Sequence, residues 1–141
     1  MSEEEKLQVL VTQMKMIESY LNDILSREAT VGRLIEEGRS AIDAIRNMSG
    51  TDHVQALMPI GIGVYMQASV APVGKLLLSI GSGVAVEKSK DEAINYIESR
   101  IKELEVALRS MSSQKQDLAM KMEQTRTEAN VMVQKMQKKS G

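Results

Sequence analysis

Two long heptad seams, one toward each end of the chain, constrain the fold more than any other feature of the sequence. The first is read in steps of three and four residues through Leu7, Leu10, Met14, Ile17, Leu21, Ile24, Glu28, Val31, Ile35, Gly38, Ile42 and Ile45. The second runs through Ile94, Ile97, Ile101, Leu104, Leu108, Met111, Lys115, Leu118, Met122, Thr125, Ala129, Met132 and Met136. Ten of the twelve positions in the first seam are apolar, and so are eleven of the thirteen in the second, counting Ala129. Seams sustained over so many heptads are typical of coiled-coil helices.

Composition and charge divide the chain into three segments. With no Phe, no Trp, three Tyr and eleven Met, the apolar side chains suit helix seams better than an aromatic core. Residues 54–86 hold a single charged side chain, Lys75, and all other charges lie in the flanks. We therefore expect an N-terminal coiled-coil helix over 1–50, a β-hairpin insert over 51–88 and a C-terminal coiled-coil helix over 89–141. Each helix would be about 60 to 70 Å long.

Two helices of equal length joined by a compact insert are expected to fold back on each other. Counting outward from the insert pairs Ile45 with Ile94, Ile35 with Leu104, Leu21 with Leu118 and Leu7 with Met132. This register places Glu28 and Lys115 in neighbouring layers, about 5 Å apart along the helix axis. We hypothesise that the two charges pair and select the register more than they stabilise it. Two unrelated solvated charges are the alternative.

Within the insert the period changes to two, as in β-strands. We expect four strands: short ones over Val54–Met58 and Val84–Glu87, and longer ones that present Val64, Met66, Ala68 and Val70, and Leu76, Leu78 and Ile80. Ala71-Pro72-Val73-Gly74 fits a type I turn and predicts that the two longer strands pair. The fold class is therefore α+β dominated by coiled coil, an antiparallel two-helix hairpin with a four-stranded insert of two β hairpins at the bend.

A short repeat within the insert points to assembly. Ile60-Gly61-Ile62-Gly63-Val64 recurs as Ile80-Gly81-Ser82-Gly83-Val84, and alternate Gly residues fit sharp corners or bulges in bent strands. A sheet this small leaves edges unpaired, which predicts oligomerisation through the insert. The candidate oligomerisation residues are Leu57, Pro59, Gly61, Gly63, Val64, Met66, Leu76, Leu78, Ile80, Gly81, Gly83, Val84 and Val86.

Other kinds of site find little support in the sequence. Met66 and Val86 stand where a G-x-G-x-x-G phosphate loop needs its third Gly. A net charge of −1 argues against nucleic acid, and His53, the only histidine, has no partners for a metal set or a nucleophile triad. We expect no enzyme activity, catalytic residue, metal or cofactor. Residues 54–74 are uncharged but too polar and broken for a convincing membrane span.

The whole arrangement resembles the alpha class of prefoldin subunits. Leu57-Met58-Pro59-Ile60-Gly61-Ile62-Gly63 is similar to the L-V-P-V-G-A-G stretch of that class, and residues 79–88 are similar to its S-V-G-A-G-V-A-I-x-K strand. The resemblance implies a hexamer of two alpha and four beta subunits joined through a β platform. It also implies ATP-independent capture of unfolded proteins at the coiled-coil tips and delivery to a group II chaperonin. The acidic N-terminus and the lack of Cys agree with the cytoplasmic location that it implies.

The two chain ends would meet at the tip of the coiled coil, where apolar residues exceed what the seams use. A Met-rich surface can adapt to many apolar sequences; the alternative is that these residues fill a fraying seam end. The candidate client-binding residues are Leu7, Val9, Leu10, Val11, Met14, Met16, Met120, Met122, Val131, Met132, Val133 and Met136. A scaffolding coiled coil without chaperone activity remains the main alternative function, and a membrane-tethering hairpin a weaker one.

Overall fold

The computed structural model describes residues 2–48, 52–71 and 74–140. Two long helices flank two antiparallel β hairpins in the order of the chain, which confirms the predicted fold class. The elements are α1 Glu3–Asn47, β1 Val54–Gly61, β2 Val64–Val70, β3 Lys75–Gly81, β4 Val84–Ser89 and α2 Lys90–Ser140. β1 extends beyond its predicted segment to the hairpin turn, whereas β4 begins at Val84 as predicted and continues to Ser89, because Lys88 and Ser89 pair with β3.

Serine residues cap both helices at their N-termini. The hydroxyl of Ser2 accepts a hydrogen bond from the backbone N–H of Glu5 at 3.2 Å. At the start of α2, the Ser89 hydroxyl accepts from the N–H of Glu92 at 3.1 Å, and the Glu92 carboxylate accepts from the N–H of Ser89 at 3.3 Å. These reciprocal hydrogen bonds form a capping box, and they lower the pKa of Glu92. The capping box satisfies two backbone donors at the junction of β4 and α2.

The chain divides into two compact units, each containing part of both helices. One unit comprises Met1–Arg33 and Leu104–Gly141, and the other comprises Leu34–Glu103 with the hairpins. All twelve seam residues of α1 and all thirteen of α2 are buried or half-buried. Ile17 and Ile24 are among the most buried in the first unit, and Ile42, Ile45 and Ile101 in the second. The heptad seam therefore forms the core of each unit, as the sequence predicts.

Gly38 has a steric role at its seam position in the second unit. A Cβ built on Gly38 would lie 3.0 Å from both Cδ1 and Cγ1 of Ile101, on the other helix. The glycine thus leaves space for an isoleucine side chain that any other residue would crowd. Gly38 lies seven residues before Ile45, and Ile101 seven residues after Ile94, so this contact falls in the predicted register.

Glu28 and Lys115 form an ion pair in the first unit, as hypothesised. The Lys115 Nζ lies 3.1 Å from Glu28 Oε1 and donates a hydrogen bond to Oε2 at 3.2 Å. Both residues are half-buried, and Oε1 is buried without a hydrogen bond of its own. The Lys115 ammonium charge therefore compensates Glu28 Oε1 for the loss of its hydration.

The predicted pairing of the two longer strands is wrong. β1 pairs with β2, and β3 pairs with β4, in two separate two-stranded sheets. Pro72 and Val73 of the predicted turn lie outside the described residues. The turns are instead formed at the Gly repeat, because residues with positive φ match the twist of a tight hairpin. Within the described residues, the repeat marks the two hairpin turns and not bends within a larger sheet.

Gly32 and Gly38 provide a matched pair of substitutions within α1. Gly32→Ala should raise the free energy of unfolding by about 0.5 to 1 kcal/mol, because Ala is the better helix former and its Cβ would meet no atom within 4 Å. Gly38→Ala should not raise the free energy of unfolding, because overpacking against Ile101 costs about 1 to 3 kcal/mol. Urea unfolding followed by circular dichroism measures both. Equal stabilisation by the two changes would contradict the tight contact at Gly38.

The Glu28–Lys115 pair predicts an asymmetric mutant cycle. Lys115→Leu should destabilise the chain by about 1 to 3 kcal/mol, because it leaves the Glu28 carboxylate half-buried without its counter-charge. Adding Glu28→Leu should recover most of this loss by completing an apolar layer. Urea unfolding of the parent, both single variants and the double variant gives the coupling energy. Additive effects of the two changes would show that the charges act independently.

Candidate functional site

The first hairpin has an uncovered apolar face. Opposed residues of β1 and β2 share a face of the sheet, and Val54 pairs with Val70 and Met58 with Met66. These four side chains are exposed, while Ala56 and Ala68 between them are half-buried. Residues 54–70 contain no charged side chain on either face. An apolar surface of this kind is typical of a protein-binding site.

The opposite face of the first hairpin is mixed in character. Gln55 lies opposite Ser69 and donates a hydrogen bond to its hydroxyl at 3.4 Å. Pro59 lies opposite Tyr65, and both Leu57 and Tyr65 are exposed. The predicted assembly residues Leu57 and Pro59 therefore lie on the face opposite Met66, so the candidate residues of this hairpin do not form one continuous surface.

The second hairpin carries charged side chains and has one half-buried apolar face. Leu76, Leu78 and Val86 are half-buried on one face, and Leu78 pairs directly with Val86. The other face carries an exposed ion pair between Lys75 Nζ and Glu87 Oε2, 3.8 Å apart, which is characteristic of a solvated sheet surface. The two halves of the repeat thus form hairpins with different surfaces.

Glycine is needed at the turn of each hairpin for conformational reasons. Gly61 and Gly63 have φ values of 142° and 77°, and Gly81 and Gly83 have values of 101° and 74°, a region that side chains with a Cβ avoid. Ile80 and Val84 beside the second turn are exposed, as is Val64 beside the first. The four predicted glycines therefore shape the turns, and their neighbours supply apolar surface.

A second candidate surface lies where the helix ends of the first unit meet. An open cavity of about 720 Å³ there has Leu7, Val133 and Met136 among its lining residues, with Glu3 and Lys139 at the same cavity. Leu7 and Met136 also line a neighbouring cavity of about 500 Å³, together with Val11. The structure thus brings together predicted client-binding residues from the two ends of the chain.

The remaining predicted client-binding residues fall into two groups. The seam residues Leu10, Met14, Met122 and Met132 are half-buried between the helices, so they offer only part of their surface. The off-seam residues Val9, Met16, Met120, Val131 and Val133 are exposed, whereas off-seam Val11 is half-buried. Exposed apolar side chains also occur elsewhere on the helices, which the sequence analysis missed: Tyr20, Leu25, Leu34, Tyr96 and Val106. Counting apolar residues outside the seam would have found them.

An ion pair joins the two helix ends beside the larger cavity. Lys139 Nζ donates a hydrogen bond to Glu3 Oε1 at 2.9 Å. This hydrogen bond lowers the pKa of Glu3 from its ordinary value of 4.5, and the positive charges of Lys139, Lys135 and Lys6 act in the same direction. The pair lies at the surface, so salt screens it and its contribution is modest.

The described residues offer neither a metal site nor a membrane-spanning helix. In residues 2–48, 52–71 and 74–140, no group of three or more His, Cys, Asp or Glu side chains could hold a metal ion. The helices described by the structure include none long and apolar enough to cross a membrane. The uncharged stretch considered as a span forms strands over Val54–Gly61 and Val64–Val70.

Two long coiled-coil helices with two separate β hairpins between them define the class of coiled-coil hairpin proteins with a β insert. A family model described as prefoldin subunit matches residues 17–135. The chain is 41% identical over 134 residues to prefoldin subunit alpha of Nitrosopumilus maritimus (strain SCM1), an alignment covering 95% of this chain and 92% of that protein. The chain belongs to the prefoldin family, whose members are chaperone subunits.

Solved structures support the same fold. The prefoldin beta subunit from Thermococcus strain KS-1 aligns with a TM-score of 0.60 at 18% identity, covering 89% of this chain and 90% of that one. Filamentous PFD from Methanocaldococcus jannaschii aligns with a TM-score of 0.55 at 20% identity, covering 89% of this chain and 98% of that one. The predicted resemblance to alpha-class prefoldin is confirmed by the family match and the alpha-subunit relative.

The Glu3–Lys139 pair predicts how the carboxylate titrates. Glu3 should titrate below pH 4.5, so the pair stabilises the helix ends above that value and is lost as the pH falls through the lowered pKa. Lys139→Met should move the Glu3 titration upward, whereas the neighbouring Lys138→Met should leave it nearly unchanged. Carboxyl ¹³C shifts followed by NMR between pH 7 and 2 measure the effect. A Glu3 titration unaffected by Lys139→Met would contradict the pairing.

Proposed function

We propose that the chain is a non-enzymatic subunit of a cytoplasmic chaperone that holds unfolded proteins without ATP and delivers them to a group II chaperonin. The observation that carries this proposal is the apolar surface where the two helix ends meet: a cavity lined by Leu7, Val133 and Met136, with Val9 and Val131 exposed nearby in sequence. Such a surface offers contact area to apolar segments of many sequences, which is what a holding chaperone requires.

The chemistry of these residues favours adaptable binding over a fixed ligand site. Methionine is unbranched and polarizable, so its side chain can follow partners of different shape. Met16 and Met120 are exposed, and Met136 lines both cavities at the helix ends. Binding by such contacts needs no cofactor and no bond-making step, in keeping with a holding role that does not consume nucleotide.

Assembly is assigned to the hairpins. An isolated two-stranded hairpin is only marginally stable in water, so burial of the apolar face formed by Val54, Met58, Met66 and Val70 against another subunit would stabilise both partners. We propose that residues 51–88 form the oligomerisation segment, and that 1–50 and 89–141 form the coiled coil that carries the client-binding surface. The partners would be beta-class prefoldin subunits, in a hexamer of two alpha and four beta chains.

A scaffolding coiled coil is the second candidate function, and one observation favours it. Leu25, Leu34 and Val106 are exposed on the helices away from the cavity residues, and apolar side chains spaced along a helix can bind a further helix laterally. In that case the exposed surface would serve structural association and would not hold denatured protein.

Matched pairs of exposed residues separate the two functions. Val9 and Val131 are 46% and 47% exposed, and Leu25 and Val106 are 51% and 57% exposed, so each pair offers one residue on each helix. In the assembled complex, Val9→Gln with Val131→Gln should weaken suppression of client aggregation by about fivefold or more. Leu25→Gln with Val106→Gln should leave it near the parental level. Light scattering of a denatured client diluted into the complex measures the effect.

The same experiment has outcomes that contradict the proposal. If the parental complex fails to suppress aggregation at near-stoichiometric ratio without nucleotide, the holding function is wrong and the scaffold is favoured. If the two double variants lose activity equally, the helix ends are not the binding surface. Native mass spectrometry of each complex checks that the substitutions leave assembly intact, because all four positions lie outside the hairpins.

A further inference from the structure

The turn of the first hairpin contains a residue that fits poorly with its backbone conformation. Ile62 and Gly63 have positive φ values of 50° and 77°, and the equivalent residues of the second hairpin, Ser82 and Gly83, have values of 53° and 74°. Two-residue turns with positive φ at both positions favour Asn, Asp or Gly in the first place. A β-branched residue is the least suited to that region, so Ile62 is a conformational outlier.

The Ile62 side chain brings no compensating burial within this chain. It is fully exposed, and its neighbours Ile60 and Val64 are exposed as well. Ser82 occupies the same backbone conformation in the second hairpin with a small polar side chain. An apolar residue that strains its turn and contacts water is explained neither by local stability nor by the turn geometry.

We propose that Ile62 is an anchor residue through which the tip of the first hairpin inserts into an apolar recess on the hairpin of a beta-class prefoldin subunit. This inference rests on the assembly proposed above and specifies one residue of its interface. The second hairpin, with Ser82 at its tip, leaves that tip in water. The two hairpins of the chain therefore differ in how their turns take part in assembly.

The absence of charge and the continuity with the apolar face indicate the chemistry of the recess. Residues 54–70 carry no charge, so the recess that receives the tip is uncharged and lined by apolar side chains. Ile60 and Val64, which flank Ile62, belong to the strands that carry the exposed apolar face of Val54, Met58, Met66 and Val70. The tip thus extends the surface already assigned to subunit assembly and does not form a separate patch.

The position of Ile62 suits an anchor. A tight hairpin turn holds the Cα–Cβ direction fixed, so little backbone freedom is lost when the side chain enters a pocket. Interface energy is concentrated in a few well-buried side chains surrounded by weaker contacts. A single apolar side chain projecting from a rigid turn has the geometry for that role.

The two turns supply a matched test. Asn is well suited to the first turn position, so Ile62→Asn and Ser82→Asn should both raise the unfolding temperature of the isolated chain or leave it unchanged. Ile62→Asn should weaken association with a beta-class subunit about tenfold or more, mainly through faster dissociation. Ser82→Asn should bind like the parent. Ile62→Leu, which keeps an apolar side chain without the β-branch, should retain most of the affinity.

Surface plasmon resonance with an immobilised beta-class prefoldin subunit measures association, and thermal unfolding followed by circular dichroism checks the fold. Equal affinity of Ile62→Asn and Ser82→Asn would overturn the anchor while leaving the assembly proposal in place. No association of the parental chain would overturn both. Self-association of the parent, abolished by Ile62→Asn while beta-class binding is retained, would assign the recess to a second copy of this chain and overturn the partner named here.

Discussion

The antiparallel helix seam is the interaction on which the rest of the structure depends. Neither α1 nor α2 can bury its apolar stripe alone, and a chain without Phe or Trp has few large side chains with which to form a compact core. Ile17 and Ile24 in one unit, and Ile42, Ile45 and Ile101 in the other, are buried, and all five are seam residues. The seam thus brings together the two helical segments that flank the insert.

We infer that polar and small residues in the seam help to fix its register. An all-apolar seam tolerates shifts by a heptad, because one layer resembles the next. The Glu28–Lys115 pair and the contact of Gly38 with Ile101 both occur in the alignment that the seams predict. One works through charge compensation and the other through shape. They occur in different units of the chain, so each unit contains one of the two contacts.

The fold and its sites were predictable to different degrees. The seams follow from an apolar period of 3.5 residues and the strands of the insert from a period of two. The Gly repeat is also a local pattern. All three depend on residues close together in the sequence. The strand partners did not follow, because a plausible turn at Ala71-Pro72-Val73-Gly74 competed with the Gly turns that in fact close both hairpins. Likewise, Val11 lies outside the seam but is half-buried, and Leu25 and Val106 are exposed apolar residues away from the chain ends.

The sequence by itself determined the helices, the strands, the seam positions and the family, because each depends on local order along the chain. Only the tertiary structure decided which strands pair, that Ile101 fills the space over Gly38, and that Lys139 meets Glu3 across the helix ends. It also decided that Ile62 projects into water from a strained turn. These facts depend on atoms brought together from distant positions or on the backbone geometry of a turn, and neither leaves a periodic pattern in the sequence.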